Sequence, residues 1–236
     1  MVSSKLIQVS INYGGHDTSS ALSIGDKIVA AAEQERYDLS KHSRKFPLDA
    51  LKSCLKKCKL KISDVDNIIL TTDFKTSIKE FYLKPALTDN TVLKKLFDDS
   101  EKIKQFINIE NEVRKKLNFK GELKTYDHHL CHLASAYFPS GFKKSIVLSL
   151  DGVGQFETGK LAIANNGQIK ECKFEAFFPN SLGLIYSALT FFLGWQHHCD
   201  EGIIMGLAPY GDPHKKIPGK SASYIELFRK IIPKNK

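Results

Sequence analysis

The sequence predicts an α/β protein built from a duplicated unit. The first observation is one plan met twice: strand, Gly-containing turn, strand, tight turn, strand, then helix. The second is the change of hydrophobic period between those segments, from two in the strands to about 3.6 in the helices. The third is bulk composition: 236 residues, 42% hydrophobic and 26% charged, enough for one large or two small domains with a real core.

The elements follow in order. Residues 6–11 are apolar and β-branched and read as a strand. A polar turn, Asn12-Tyr13-Gly14-Gly15-His16-Asp17, leads to a second strand at 20–24. Gly25-Asp26 is a hairpin turn before a third strand at 27–32. A loop then runs to Pro47, which suits the first position of a helix reaching about residue 59. Its apolar positions Leu48, Leu51, Cys54, Leu55 and Cys58 keep helical spacing. Residues 65–70 read as a fourth strand. Residues 77–117 read as helix in pieces, with Leu93, Leu96, Phe97, Ile103, Phe106, Ile107, Val113 and Leu117 as a buried stripe. A short strand at 123–126 runs into a helix beginning near His128.

The plan then returns. Residues 145–150 form a strand, Asp151-Gly152-Val153-Gly154 a Gly-rich turn, and 160–164 a strand. Asn165-Asn166-Gly167 is a hairpin turn, followed by a strand at 169–177 and a helix at 182–193. Two such units facing each other make the actin/sugar-kinase/Hsp70-like (RNase H-like) architecture, in which two strand-joining turns grip a phosphate chain. Each turn is also what a plain hairpin needs, so their matched positions carry the phosphate reading. The units divide as 1–140 and 141–236. The second is expected to be incomplete, because the apolar stretch 225–232 is followed only by Pro233-Lys234-Asn235-Lys236. An incomplete second lobe predicts exposed apolar surface and self-association.

The formal charge is +9. The lysines are spread along amphipathic helices, as in Lys94-Lys95 and Lys115-Lys116, where solvated faces explain them and a nucleic-acid partner is not expected. The densest group, Lys41, His42, Arg44 and Lys45, suits a small anion or simply solvent. Five cysteines at irregular spacing suggest no disulfide framework, and Cys54 and Cys58 read as buried reduced thiols. The N-terminus lacks a signal-peptide pattern and no apolar run reaches membrane-spanning length. The expectation is a cytoplasmic protein with no membrane partner.

Asp127-His128-His129-Leu130-Cys131-His132 is the strongest local signal. On a helix, His128 and His132 lie one turn apart and can share a metal ion, with Asp151 as a third ligand at a strand end. The same histidines could instead be surface or supporting residues. His16 could act as acid/base or donor to an anion, and His16-Asp17-Thr18 could equally serve the turn. Met205-Gly206-Leu207-Ala208-Pro209-Tyr210-Gly211 suits close backbone packing against a ligand or loop.

In sequence order these pieces resemble the NodU/CmcH family of carbamoyltransferases. The resemblance rests on residues 12–21 and 31–36 with Lys41-His42, on Phe46-Pro47, on residues 127–142, 150–154 and 179–187, and on 205–211. It implies an actin-like domain similar to that of the tRNA threonylcarbamoyl-adenosine synthases. A further YrdC-like domain would make carbamoyl-adenylate from carbamoyl phosphate and ATP. The actin-like domain would pass the carbamoyl group to a hydroxylated small-molecule acceptor. The family's metal, iron (Fe2+) or another divalent ion, falls on His128, His132 and Asp151. His16 falls on the histidine near the transferring group, and Gly14, Gly15, Lys41, Gly152 and Gly154 are expected around the nucleotide phosphates.

Two departures stand out. Ile203 occupies a position where the family pattern has Lys, and the chain is short. The last carboxylate ligand, the adenosine-binding part and the YrdC-like domain are not in these 236 residues. The expectation is the N-terminal part of a carbamoyltransferase, completed by a YrdC-like domain or chain. The alternatives are a truncated non-catalytic remnant or binding module, and a tRNA threonylcarbamoylation-type enzyme.

Overall fold

The computed structural model describes residues 5–89 and 91–231. Residues up to Leu184 form one compact unit and those from Ile185 a second.

A five-stranded mixed sheet opens the first unit: β1 (Ile7–Asn12), β2 (Ser19–Ile24), β3 (Lys27–Glu33), β4 (Asn67–Leu70) and β5 (Glu122–Thr125), in the order β3-β2-β1-β4-β5. The first three strands are antiparallel, and β4 and β5 join parallel to β1. Alternation puts Val9, Ile11 and Leu22 on the core face, and Ile68 and Leu70 join them there. Helix α2 (Leu48–Lys57) lays Leu51, Cys54 and Leu55 on that face; Ile109, Val113 and Leu117 complete the core. Parallel connections need long crossovers, and the helices between β4 and β5 supply one.

A three-stranded antiparallel meander follows: β6 (Lys144–Gly154), β7 (Glu157–Asn165) and β8 (Gln168–Phe177). Asn166 and Gly167 both have positive φ, 47° and 80°, as the tight β7–β8 hairpin requires. This sheet packs one face on α7 (His128–Tyr137) through Leu133, Tyr137, Val147, Ala162 and Ala164. Its other face leaves Ile146, Leu148, Leu150 and Ile163 exposed. The strand–turn–strand plan therefore recurs in both sheets, and the fold is of the expected α/β class. Among the described residues the second sheet has no counterpart of β4 and β5.

Several sequence expectations need correction. A one-turn helix, α1 (Glu35–Asp38), interrupts the segment read as loop, and Pro47 caps α2 rather than starting it. The 74–117 region holds α3 (Phe74–Ile78), a wide π-type turn (Lys79–Leu83), α4 (Lys84–Ala86), α5 (Thr91–Asp98) and α6 (Ser100–Leu117). Phe97 and Ile107 of the proposed stripe are exposed, because each helix turns only its Ile103/Ile109/Val113-type positions inward. The side chain of Leu93, residue 232 and the tail 233–236 lie outside the described residues. Cys54 is buried as expected, whereas Cys58 is only half-buried at the end of α2. Asp151–Gly154 is not a turn: β6 continues through it, and the reversal falls at Gln155-Phe156.

In the second unit, α8 (Leu182–Phe192) enters from the first. α9 (Glu201–Leu207) and α10 (Tyr224–Ile231) follow. Space is open around Gly206, and Met205 and Tyr210 are exposed. Among the described residues no helix is long and apolar enough to cross a membrane.

Candidate functional site

The start of α7 is fixed from both ends of its first turn. Asp127 is the N-cap, and its carboxylate accepts the Leu130 amide at 2.7 Å. The Gln155 side-chain oxygen accepts the His128 amide at 2.7 Å and the Asp73 amide at 3.2 Å. Gln155 itself takes a left-handed φ of 58° at the β6–β7 reversal. One amide side chain thus ties together the loop after β4, the start of α7 and the second sheet.

Below the N-cap lies a buried charge. Lys160 on β7 is 5% exposed and brings Nζ to 3.1 Å from Asp127, 2.9 Å from Glu157 and 3.3 Å from Glu171. Burial opposes its charge, but the Glu157 and Asp127 carboxylates outweigh that and raise its pKa above the ordinary lysine value.

Opposite α7, β6 bulges. Leu150 pairs with Gly159 and Gly154 with Glu157, so Asp151, Gly152 and Val153 face a single residue of β7. The bulge turns Asp151 toward α7. His128 Nε2 lies 3.0 Å from Asp151 Oδ2 and 3.0 Å from His132 Nε2, and His132 Nε2 is 3.5 Å from the same carboxylate oxygen. Hydrogen bonds from His128 and then His132, against the opposing effect of burial, hold the Asp151 carboxyl far below the usual carboxylate range. Thr72 Oγ1 lies 3.4 Å from His128 Nδ1, on the ring's other side.

Two imidazole nitrogens and a carboxylate oxygen converge with their ligand atoms all within 4.8 Å of one another. Ligand atoms about 2.0–2.2 Å from one ion stand roughly 3 Å apart, so the spacing fits a shared metal. Two imidazoles and one carboxylate suit zinc or iron(II), and such a set leaves further coordination positions open. His129 belongs to the same sequence run but does something else. It is fully buried, with Nδ1 2.8 Å from Ser149 Oγ and Nε2 3.0 Å from the Glu157 carbonyl, and it holds α7 on the sheet.

The glycines explain themselves by contact. A Cβ on Gly154 would lie 2.1 Å from His128 Cδ2, so only glycine lets the imidazole rest on the strand. Gly152 borders Gly183, where a Cβ would meet the Gly152 amide nitrogen at 2.5 Å. Gly14 has φ 100° and abuts Phe74, with a Cβ there at 2.5 Å from the ring, whereas Gly15 faces open space.

In the first turn, His16 is half exposed and its Nδ1 lies 2.6 Å from Asp17 Oδ2. His42 Nδ1 lies 2.9 Å from Asp17 Oδ1. Lys41 and Arg44 are exposed on the adjoining loop. His128, His132 and Asp151 are brought together as the sequence spacing predicts. Gln155, Lys160, Thr72 and the Asp17–His42 contact were not foreseen. Their partners are far apart in sequence or lie across a bulge, and only the Lys160 position, a cation inside an apolar strand, carries a sequence signal.

A cavity of about 500 Å³ opens beside this assembly, lined by Asp73, Thr76, Glu80, Asp127, Gln155 and Phe156 among others.

Comparison with known proteins adds a family. The model described as Carbamoyltransferase N-terminus matches residues 7–230. An uncharacterized protein of Synechocystis is 33% identical over 84% of this chain and 34% of its own length. Nodulation protein NolNO of Sinorhizobium fredii is 33% identical over 84% of this chain and 28% of its own. Nodulation protein NolO of Bradyrhizobium diazoefficiens is 42% identical over 43% of this chain. The chain thus spans about a third or less of the curated relatives it matches. Among solved structures, YeaZ from Pseudomonas aeruginosa is similar at 14% identity and a TM-score of 0.41, covering 74% of this chain and 68% of that one. A ROK hexokinase from Thermus thermophilus is similar at 11% identity and a TM-score of 0.43, covering 88% and 70%.

Proposed function

Since the chain belongs to the carbamoyltransferase N-terminus family, we propose that it supplies the metal-binding, acceptor-activating part of an O-carbamoyltransferase. The observation that carries this reading is the convergence of His128, His132 and Asp151 on one point. The donor is carbamoyl-adenylate, formed from carbamoyl phosphate and ATP by a YrdC-like domain or chain. The acceptor is a hydroxylated small molecule, and the reaction belongs to the cytoplasm, where ATP is supplied.

In this reading His128, His132 and Asp151 hold an iron(II) or similar divalent ion. When bound, that ion supplies Lewis-acid polarisation of the carbamoyl oxygen, where negative charge develops. The acceptor oxygen attacks the carbamoyl carbon, and the bond from that carbon to the adenylate phosphate oxygen breaks, so AMP leaves with the electron pair. The acceptor proton passes to His16 at Nε2, the ring nitrogen turned away from Asp17. Gly15 leaves room for a backbone amide to approach a phosphate oxygen, whereas Phe74 and His128 fill the space beside Gly14 and Gly154 and the Gly152 amide donates to Asp151; Lys41 offers a cation at the edge of the first turn. Asp127, Gln155 and Lys160 contribute by fixing the start of α7, and so the angle at which both histidines present Nε2.

The test uses the protein as expressed in its own cells, with any companion domain or chain retained. Labelled carbamoyl phosphate and ATP should give an ATP-dependent carbamate on a hydroxylated acceptor, and His132→Ala should abolish it. Label arriving on tRNA in a salt-sensitive manner would transfer the assignment to threonylcarbamoylation. Metal binding with no ATP-dependent transfer to any acceptor would favour a non-catalytic binding module.

A further inference from the structure

Asp17 stands between two imidazoles. Its Oδ2 is 2.6 Å from His16 Nδ1, and its Oδ1 is 2.9 Å from His42 Nδ1. Burial acts to raise the Asp17 carboxyl, but the hydrogen bonds from His16 and His42 outweigh it and keep it below its ordinary range. An ionised carboxylate has no hydrogen to give, so each Nδ1 must be the donor.

The backbone is bent to make this contact. Asp17 has φ 54° and His42 has φ 56°, both left-handed and neither glycine. A non-glycine residue in this conformation is strained and persists where its surroundings over-determine it. Here they do. The Thr18 amide donates to the Ser43 carbonyl at 3.1 Å, and Thr18 Oγ1 donates to the Lys45 carbonyl at 2.7 Å. Ser43 Oγ donates to Asp38 at 2.7 Å, and the His42 amide donates to Glu35 Oε2 at 3.0 Å. The loop carrying His42 is thus pinned against the start of β2. Asn12 Nδ2 holds the Asp17 carbonyl at 3.0 Å from the other side. The pinning leaves His42 Nε2 buried without a hydrogen-bond partner among the described residues. As the lone-pair nitrogen it is an acceptor without a donor, the less costly way for it to be unmet, and this agrees with a proton on Nδ1.

We propose that Asp17 and His42 are positioning residues for His16. The Asp17 carboxylate, fixed through its other oxygen by His42, keeps the His16 proton on Nδ1 and leaves the lone pair on Nε2. That is the nitrogen a proton-accepting histidine must offer. Turn capping alone explains neither the second imidazole nor the two left-handed residues. The tautomer follows from geometry; its use in carbamoyl transfer rests on the reading above.

Imidazole ¹⁵N spectra of the whole chain test this directly, at a pH high enough to leave the rings neutral. The wild-type protein should show His16 with a protonated Nδ1 and an unprotonated Nε2. Asp17→Ala should move both His16 nitrogens toward averaged positions, and His42→Phe should do so in part. A wild-type His16 protonated on Nε2 would overturn the proposal, as would a His16 signal that Asp17→Ala leaves unchanged. The wild-type spectrum decides even if a variant fails to fold. In the active preparation Asp17→Asn should lower kcat by on the order of 10²-fold or more with KM little changed. Loss in KM alone would assign Asp17 to substrate binding. The spectra need no substrate, so they stand or fall apart from the reaction assignment.

Discussion

The same strand–turn–strand plan occurs twice in this chain, and the two copies arm it differently. In the first, β1 and β2 are joined by an exposed turn whose chemistry is a small hydrogen-bonded chain, His16–Asp17–His42, held by a loop folded over it. In the second, the strand itself bulges and aims Asp151 at two histidines of α7. Under it lies a buried lysine among three carboxylates. One copy presents an imidazole at the surface, and the other gathers two imidazoles and a carboxylate over buried charge. A duplicated backbone plan therefore fixes where functional groups emerge without fixing which groups they are.

The comparison breaks most visibly at Lys160. Lys160→Met would leave Asp127 and Glu157 part-buried and uncompensated, and removing one partner of a buried ion pair costs about 3–5 kcal/mol. Urea unfolding should show that loss, whereas Asp17→Asn in the exposed turn should shift the midpoint far less. Equal losses would mean the two copies are supported alike.

The glycines sharpen the contrast. Gly154→Ala drives a methyl into the His128 ring and should weaken metal binding by roughly 10–100-fold, as lost ligand support does. Gly15→Ala meets open space and should leave both metal affinity and stability nearly unchanged. Calorimetric titration with iron(II) or zinc reads both variants.

Cys131 reports on burial along α7, which packs on the second sheet. Burial first, and then the Asp127 charge, pushes its thiol up to about 11. At pH 8 it should react with a thiol reagent roughly 10²-fold more slowly than an ordinary exposed cysteine. Rapid labelling would mean that the α7 surface opens readily.

The smallest effect belongs to Asp17. Its folded-state pKa is lowered, so its contribution to stability is complete above the unfolded value of about 4 and is lost as pH falls through the folded value. The stability gap between wild type and Asp17→Asn should shrink on acidification from neutral pH to about 3. The group is partly exposed, so screening keeps the gap small. A gap that widens instead would reverse the assigned sign.

How much of this was legible beforehand follows from range. Period-two and period-3.6 patterning placed every strand within a few residues, and the i, i+4 spacing put His128 and His132 on one helix face. The Gly-rich run 151–154 reads as a turn but lies at the end of β6, because a bulge and a turn draw on the same residues. Phe97 and Ile107 were assigned to the core because the 91–117 helices read as one stripe, although a break after Asp98 resets the phase between α5 and α6. Gln155 and the Asp17–His42 contact depend on chain segments that meet only in three dimensions, and no local pattern encodes them; for Lys160 the pattern shows a cation inside an apolar strand but not its three carboxylate partners.

In the reading proposed above, His128, His132 and Asp151 form one metal site. The most direct measurement is metal content and affinity of the purified chain against His128→Ala and His132→Ala, each checked for native folding by circular dichroism. The account predicts one divalent ion per chain in the wild type and loss of that ion in both variants. Full metal retention by either folded variant would contradict it.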